Sequence, residues 1–111
     1  MRTFFPVFVA ALSTIAAPAA IGASPSPTQL RRGEALLKRD CGACHAIGRT
    51  GASPVKDAPA FRILGQRYPI ESLEEALAEG FMTGHPGMPE FSFDAHDVGA
   101  IIAYLKSIQQ R

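Results

Sequence analysis

Cys41-Gly42-Ala43-Cys44-His45 sets two thiols three positions apart with a histidine directly after the second, and the chain has no other cysteine. That spacing fits covalent haem attachment, in which each thiol adds to a vinyl group of the porphyrin and the adjoining imidazole comes up beneath the iron. A chain tethered in this way must fold around a flat apolar ring. Two rival uses of Cys-x-x-Cys are short of parts. A structural zinc site wants four ligands, which His85 and His96 would have to complete from distant, unpaired positions. A thioredoxin-like dithiol belongs beside a βαβ pattern, and the sequence shows none.

The amino terminus bears on the compartment. Arg2 supplies a positive start, an apolar run extends from Phe4 to about Ala17, and small residues surround Ala19, Ala20 and Ala23. This is the order of a secretory signal peptide over residues 1–23, with cleavage between 19 and 23. A retained anchor is the alternative, but Pro6, Pro18 and Ser13-Thr14 interrupt the run, and a spanning helix wants about 20 apolar residues. The expectation is a soluble, exported, periplasmic protein without an integral membrane anchor after cleavage. Export would ordinarily favour a disulfide, yet two cysteines three apart close a tiny loop and would staple very little. Thioether bonds to haem make better use of them. They also supply what a mature domain of under about 100 residues lacks, namely enough apolar core.

Lys plus Arg number eleven against ten Asp plus Glu, and Arg2 leaves with the leader. A near-neutral domain argues against nucleic-acid binding, which depends on a basic surface.

Beyond the leader, residues 24–27, Ser-Pro-Ser-Pro, read as an extended linker because proline fixes the backbone and biases the residue before it away from helix. Thr28 is the expected N-cap of a first helix in which Leu30, Gly33, Leu36, Leu37 and Cys41 fall close to helical spacing. Gly33 costs stability inside a helix, which suggests a bulky group approaching the backbone there. Residues 46–59 carry Gly48, Gly51, Ser53, Pro54 and Pro59 without apolar period, a loop of the kind that wraps a ligand. Phe61, Ile63 and Leu64 form a small apolar cluster closed by Tyr68-Pro69. Ser72 and Glu75 have the spacing of a capping box, predicting a second helix from about Leu73 to Glu79, with Leu73, Leu77 and Phe81 on one side and Gly80 at its end. Gly84-His85-Pro86-Gly87-Met88-Pro89 is a presented loop. Asp94 caps a third helix, Ala95 to about Gln109, whose Val98, Ile101, Ile102, Leu105 and Ile108 form one buried face. With no strand alternation, the fold class is all-α, with three main helices and loops wrapped around one covalently bound haem.

Haem iron takes a second axial ligand, and a thioether opposite histidine stabilises the ferrous state. Met88, held between Gly87 and Pro89 in a rigid non-helical loop, is favoured over Met82, which sits at a helix end where methionine serves as core filler. His85 is a third candidate, giving bis-histidine ligation. His96, in the first turn of the last helix, reads as a surface residue. A ligating imidazole usually donates its other N–H to a carbonyl or carboxylate, and the carbonyl of Pro59 is the candidate acceptor for His45.

Taken in order, Gly33 in an amino-terminal helix, the Cys41–His45 motif, the proline loop at Pro59, the Gly-x-Met-Pro run around Met88 and Tyr104-Leu105 in a carboxy-terminal helix make a pattern that resembles class I cytochrome c. The resemblance spans residues 28–111, from about Thr28 to Gln109 in its motifs. It implies one covalent haem c per chain, with Cys41 and Cys44 as attachment points, His45 and Met88 as iron ligands and the Pro59 carbonyl accepting from the His45 ring. It also implies that Gly33 packs against Tyr104. One departure is the absence of tryptophan. A propionate contact made by tryptophan in many relatives would pass to other groups, Arg62, Arg67 or Tyr68 among them.

Two axial ligands and two tethers would leave no vacant position for substrate. The implied role is therefore single-electron transfer and not enzymatic catalysis, by a monomer meeting redox donors and acceptors such as a dehydrogenase or a terminal oxidase. Arg49 and Lys56, in the loop after the motif, are candidate orienting charges. Two other readings stay open: a haem enzyme or gas sensor with an open sixth position, and an electron-transfer subunit of a larger oxidoreductase.

Overall fold

A computed structural model describes residues 6, 10, 11, 13–18, 24–80 and 87–110. Most of the leader lies outside the described residues, as do Phe81, Met82 and His85. Ile15, 92% exposed, takes no part in the core.

Helix α1 spans Pro27–Asp40, α2 Glu74–Glu79 and α3 Ala95–Ile108, and two 310 turns, Phe61–Gln66 and Ile70–Leu73, lie between α1 and α2. Three α-helices, with no strand among the described residues, make the domain all-α. No helix among these residues is long and apolar enough to cross a membrane.

The start of α1 departs from expectation. Its N-cap is Ser26, not Thr28, and the Ser26 hydroxyl accepts from the Gln29 N–H at 3.1 Å. Pro27 explains the shift, because its locked φ and missing N–H suit the first helical position, so the helix begins inside the supposed linker. The Thr28 hydroxyl accepts from Arg31 at 3.2 Å instead. The capping box at Ser72 does not form either, for α2 starts at Glu74 with no side-chain cap. The 310 turn Ile70–Leu73 runs straight into the helix, with the Ser72 N–H donating to the Pro69 carbonyl at 3.0 Å and the Glu74 N–H to Glu71. The first of those bonds takes up the Ser72 N–H, the donor that the Glu75 side chain would have satisfied in the box. Gly80 closes α2 as expected, at φ +107°. Asp94 caps α3, accepting from the Asp97 N–H at 2.8 Å. The apolar cluster at Phe61–Leu64 lies in a 310 turn.

Helices α1 and α3 cross at Gly33. A Cβ there would overlap the carbonyl of Ala100 and stand 2.8 Å from the Cβ of Tyr104, so the missing side chain is what lets the helices meet. The core that this crossing organises joins Leu36 and Leu37 of α1 to Val98, Ile101, Ile102, Tyr104, Leu105 and Ile108 of α3, with Phe61, Leu64, Ile70 and Leu73 from the intervening turns. Apolar burial of this kind is the main stabilising term. At the margin, Arg32 grips Asp97 through two hydrogen bonds of 3.0 and 3.1 Å, joining the same two helices. Lys106 and Glu71, 2.6 Å apart, tie α3 to the second 310 turn.

Candidate cofactor site

The attachment motif is delivered by the end of α1. Cys41 is the C-cap residue, its N–H donating to the Leu37 carbonyl at 2.8 Å, and the N–H groups of Cys44 and His45 both donate to the Cys41 carbonyl, at 3.2 and 2.9 Å. One turn therefore gathers both thiols and the imidazole. No disulfide joins the two cysteines. Burial, the neighbouring Asp40 carboxylate and the Cys44 sulfur push the Cys41 thiol up to about 11. At neutral pH it is a protonated thiol, which does not suit the thiolate chemistry of a dithiol oxidoreductase.

His45 is held from two sides. Its Nδ1 lies 2.7 Å from the Pro59 carbonyl oxygen, to which a protonated Nδ1 donates. The ring of Phe61 packs on the imidazole at 4.6 Å between centroids, tilted by 31°. With Nδ1 so engaged, Nε2 is the nitrogen left to coordinate a metal.

The loop between His45 and Phe61 is tied down mostly through backbone groups. The Ala46 N–H donates to the Ser53 hydroxyl at 2.9 Å, the Val55 N–H to the Cys44 carbonyl at 3.1 Å and the Phe61 N–H to the Ala46 carbonyl at 2.9 Å. From α3, the Tyr104 hydroxyl donates to the Ile47 carbonyl at 2.8 Å. Tyr104 thus serves twice, beside Gly33 at the helix crossing and as a tether for this loop.

Cys44, His45, Val55, Asp57, Ala58 and Pro59 line a cavity of about 460 Å³ together with Gly87, Met88 and Pro89. Gly87 adopts φ +97°, a left-handed conformation that glycine takes without strain, immediately before Met88. Cys41 is not in the lining and packs instead against the core. Met82 and His85, the other axial candidates, lie outside the described residues. His96 is at the surface, its side chain 85% exposed and its Nδ1 3.6 Å from Asp97. Arg62, Arg67 and Tyr68 do not line the cavity, and the Arg62 guanidinium donates to the Gly51 carbonyl at 2.7 Å. Arg49 and Lys56 are exposed. Phe61 and Ser53 are the contributors that sequence reasoning missed, and neither carries a local signal: one reads as core, the other as loop.

The residues present fit a haem. The cavity is bordered mostly by apolar groups, a thiol, an imidazole and a thioether share its lining, and the imidazole has one nitrogen committed and one available.

Comparison with known proteins bears on the same residues. The model of the family described as cytochrome C oxidase, cbb3-type, subunit III matches residues 28–105. Cytochrome c-552 of Bradyrhizobium diazoefficiens is 34% identical over 77 residues, covering 69% of this chain and 72% of the relative. Cytochrome c6 of Picosynechococcus is 30% identical over 101 residues, covering 86% of each. No solved structure matches significantly.

Proposed function

We propose, from the premise that this chain belongs to the c-type cytochrome family, that it carries single electrons between redox partners by way of a covalently attached haem c. Bound there, the haem supplies the one-electron couple between ferric and ferrous iron. Everything else is done by the chain. Cys41 and Cys44 would hold the haem by thioether bonds, each a net addition of S–H across a vinyl group, so that attachment would need no oxidant or reductant. His45 would hold the iron through Nε2, with Nδ1–H kept on the Pro59 carbonyl, a bond that orients the ring and raises its basicity. Met88, in the short loop between Gly87 and Pro89, would hold the iron through its thioether sulfur.

What supports this ligand set is one arrangement: His45, anchored to Pro59 at 2.7 Å, and Met88 line the same cavity. Were His45 and Met88 both to hold the iron, the chain would leave no position on it for substrate, which is the ground for reading a carrier and not an enzyme. The leader-like amino terminus supports export to the periplasm, and the domain would act as a monomer in brief encounters with donor and acceptor proteins. The matched family is itself described as an oxidase subunit, and that favours a second reading, an electron-transfer subunit of a larger oxidoreductase. Copurification with a larger partner separates a subunit from a free shuttle.

Absorption spectra of protein matured in a host able to attach haem test the proposal. Oxidised protein should show a weak long-wavelength thioether-to-ferric band, lost in Met88→Ala and kept in Met82→Ala, with haem attached in both. Loss in Met82→Ala alone moves the ligand to Met82. Ready carbon monoxide binding by the reduced wild type would instead indicate an open sixth position.

A further inference from the structure

Gln109 is the first residue past α3, where the backbone turns extended at φ −61° and ψ 134°. Its side-chain amide folds back. Nε2 donates to the carbonyls of Phe61 and Leu105, both at 2.8 Å, and Oε1 accepts from the Gly65 N–H at 2.7 Å. The Phe61 carbonyl and the Gly65 N–H are four residues apart, the acceptor and donor that an α-helical turn would join directly. One amide inserted between them satisfies both, which accounts for a 310 geometry from Phe61 to Gln66 in place of an α-helical turn. Gly65 makes room for it, because a Cβ there would stand 3.0 Å from Oε1. The next residue continues the clasp, its N–H donating to the Arg62 carbonyl at 2.7 Å.

The clasped turn begins with the residue that touches the candidate iron ligand. The Phe61 ring lies 4.6 Å from the His45 imidazole, and the Phe61 N–H is bonded to the carbonyl of Ala46, the residue after that histidine. We infer that Gln109, through the 310 turn it holds open, is a positioning residue for the axial imidazole: it fixes Phe61 against His45 and so keeps Nδ1 in line with the Pro59 carbonyl. The inference rests on the reading of His45 as a haem ligand. A well-aligned Nδ1–H···O bond makes the imidazole a stronger donor and favours ferric iron, so loosening it moves the potential in the positive direction.

The test uses holoprotein. Gln109→Met keeps the length of the side chain and removes its hydrogen bonds, and Gly65→Ala presses on the same amide from the other side. Gln66→Ala, which loses only a 3.4 Å contact to the Gln110 carbonyl, is the control. With haem still attached, Gln109→Met should show a more positive reduction potential and about tenfold faster exchange of the His45 Nδ1 proton, the equivalent of one lost hydrogen bond. Gly65→Ala should move both in the same direction by less, and Gln66→Ala neither. If Gln109→Met does not accumulate, Gly65→Ala decides by the same two readouts. A haem-loaded variant that melts earlier yet keeps the wild-type potential and exchange rate overturns the positioning role alone. A wild type carrying no haem overturns the parent reading and this one with it.

Discussion

Where α1 crosses α3, order comes from burial: Leu36, Leu37, Ile101 and Leu105 are each 3% exposed or less, and Gly33 brings the two backbones together. In the loop from Ala46 to Ala60, a few residues away, only Ala46 is buried, and order comes from hydrogen bonds to main-chain groups. The contrast separates two jobs. A dry helix crossing supplies stability and tolerates little change in volume. A loop held through its backbone leaves its apolar side chains free to face a cofactor, so damage there should alter the site before it alters the fold. Tyr104 belongs to both regions, with its Cβ at the crossing and its hydroxyl on the loop.

The comparison breaks hardest at Gly33. Gly33→Val forces side-chain atoms into the Ala100 carbonyl and should cost about 3 kcal/mol or prevent folding, read as the denaturation midpoint of the holoprotein. If the spectrum of whatever folds also changes, the two regions are less separate than their packing implies. Tyr104→Phe keeps the crossing and deletes only the bond to Ile47, so a loss of about 1 kcal/mol is expected with the helices intact. A larger loss would show that the loop supports the crossing. Ser53→Ala lies wholly on the loop side. It should leave the melting curve within about 1 kcal/mol of wild type, since it removes one partly buried bond to the Ala46 N–H. Faster exchange of that amide, measured by NMR, would place the effect within the loop.

The smallest effect concerns the ion pair at the margin of the crossing. Hydrogen bonding and charge from Arg32 hold the Asp97 carboxyl below the usual carboxylate range. A depressed value in the folded state means that its contribution is fully present above the unfolded aspartate value, near about 3.9, and is lost as pH falls through the folded value. Stability measured from neutral to acid pH should therefore fall less steeply at its acid end in Asp97→Asn. The difference should be slight, because the Arg32 side chain is 52% exposed.

Much of this was legible along the chain, for a local reason. Cys41, Cys44 and His45 are assembled by a single turn, so their adjacency in sequence is their adjacency in space. The apolar face of α3 follows from a 3.6-residue repeat, and its cap from Asp94. Misreadings arose where two local rules competed. Proline at the first helical position outranked Thr28 as a cap, and the turn at Ile70–Leu73 took up the Ser72 N–H, the donor that the Glu75 side chain would have satisfied in a capping box.

The sequence by itself determined an all-α chain with a cofactor attachment motif at the end of its first helix, because both are written in short-range spacing. Only the tertiary structure decided what surrounds the imidazole. Phe61 reaches the imidazole across a loop, Gln109 reaches the turn that carries Phe61, and the groups that hold them are the main-chain carbonyls of Ala46, Leu105 and Phe61 itself together with the Gly65 N–H. Every residue carries such a carbonyl, so no side-chain pattern marks the ones that will be used; chain closure in three dimensions selects them.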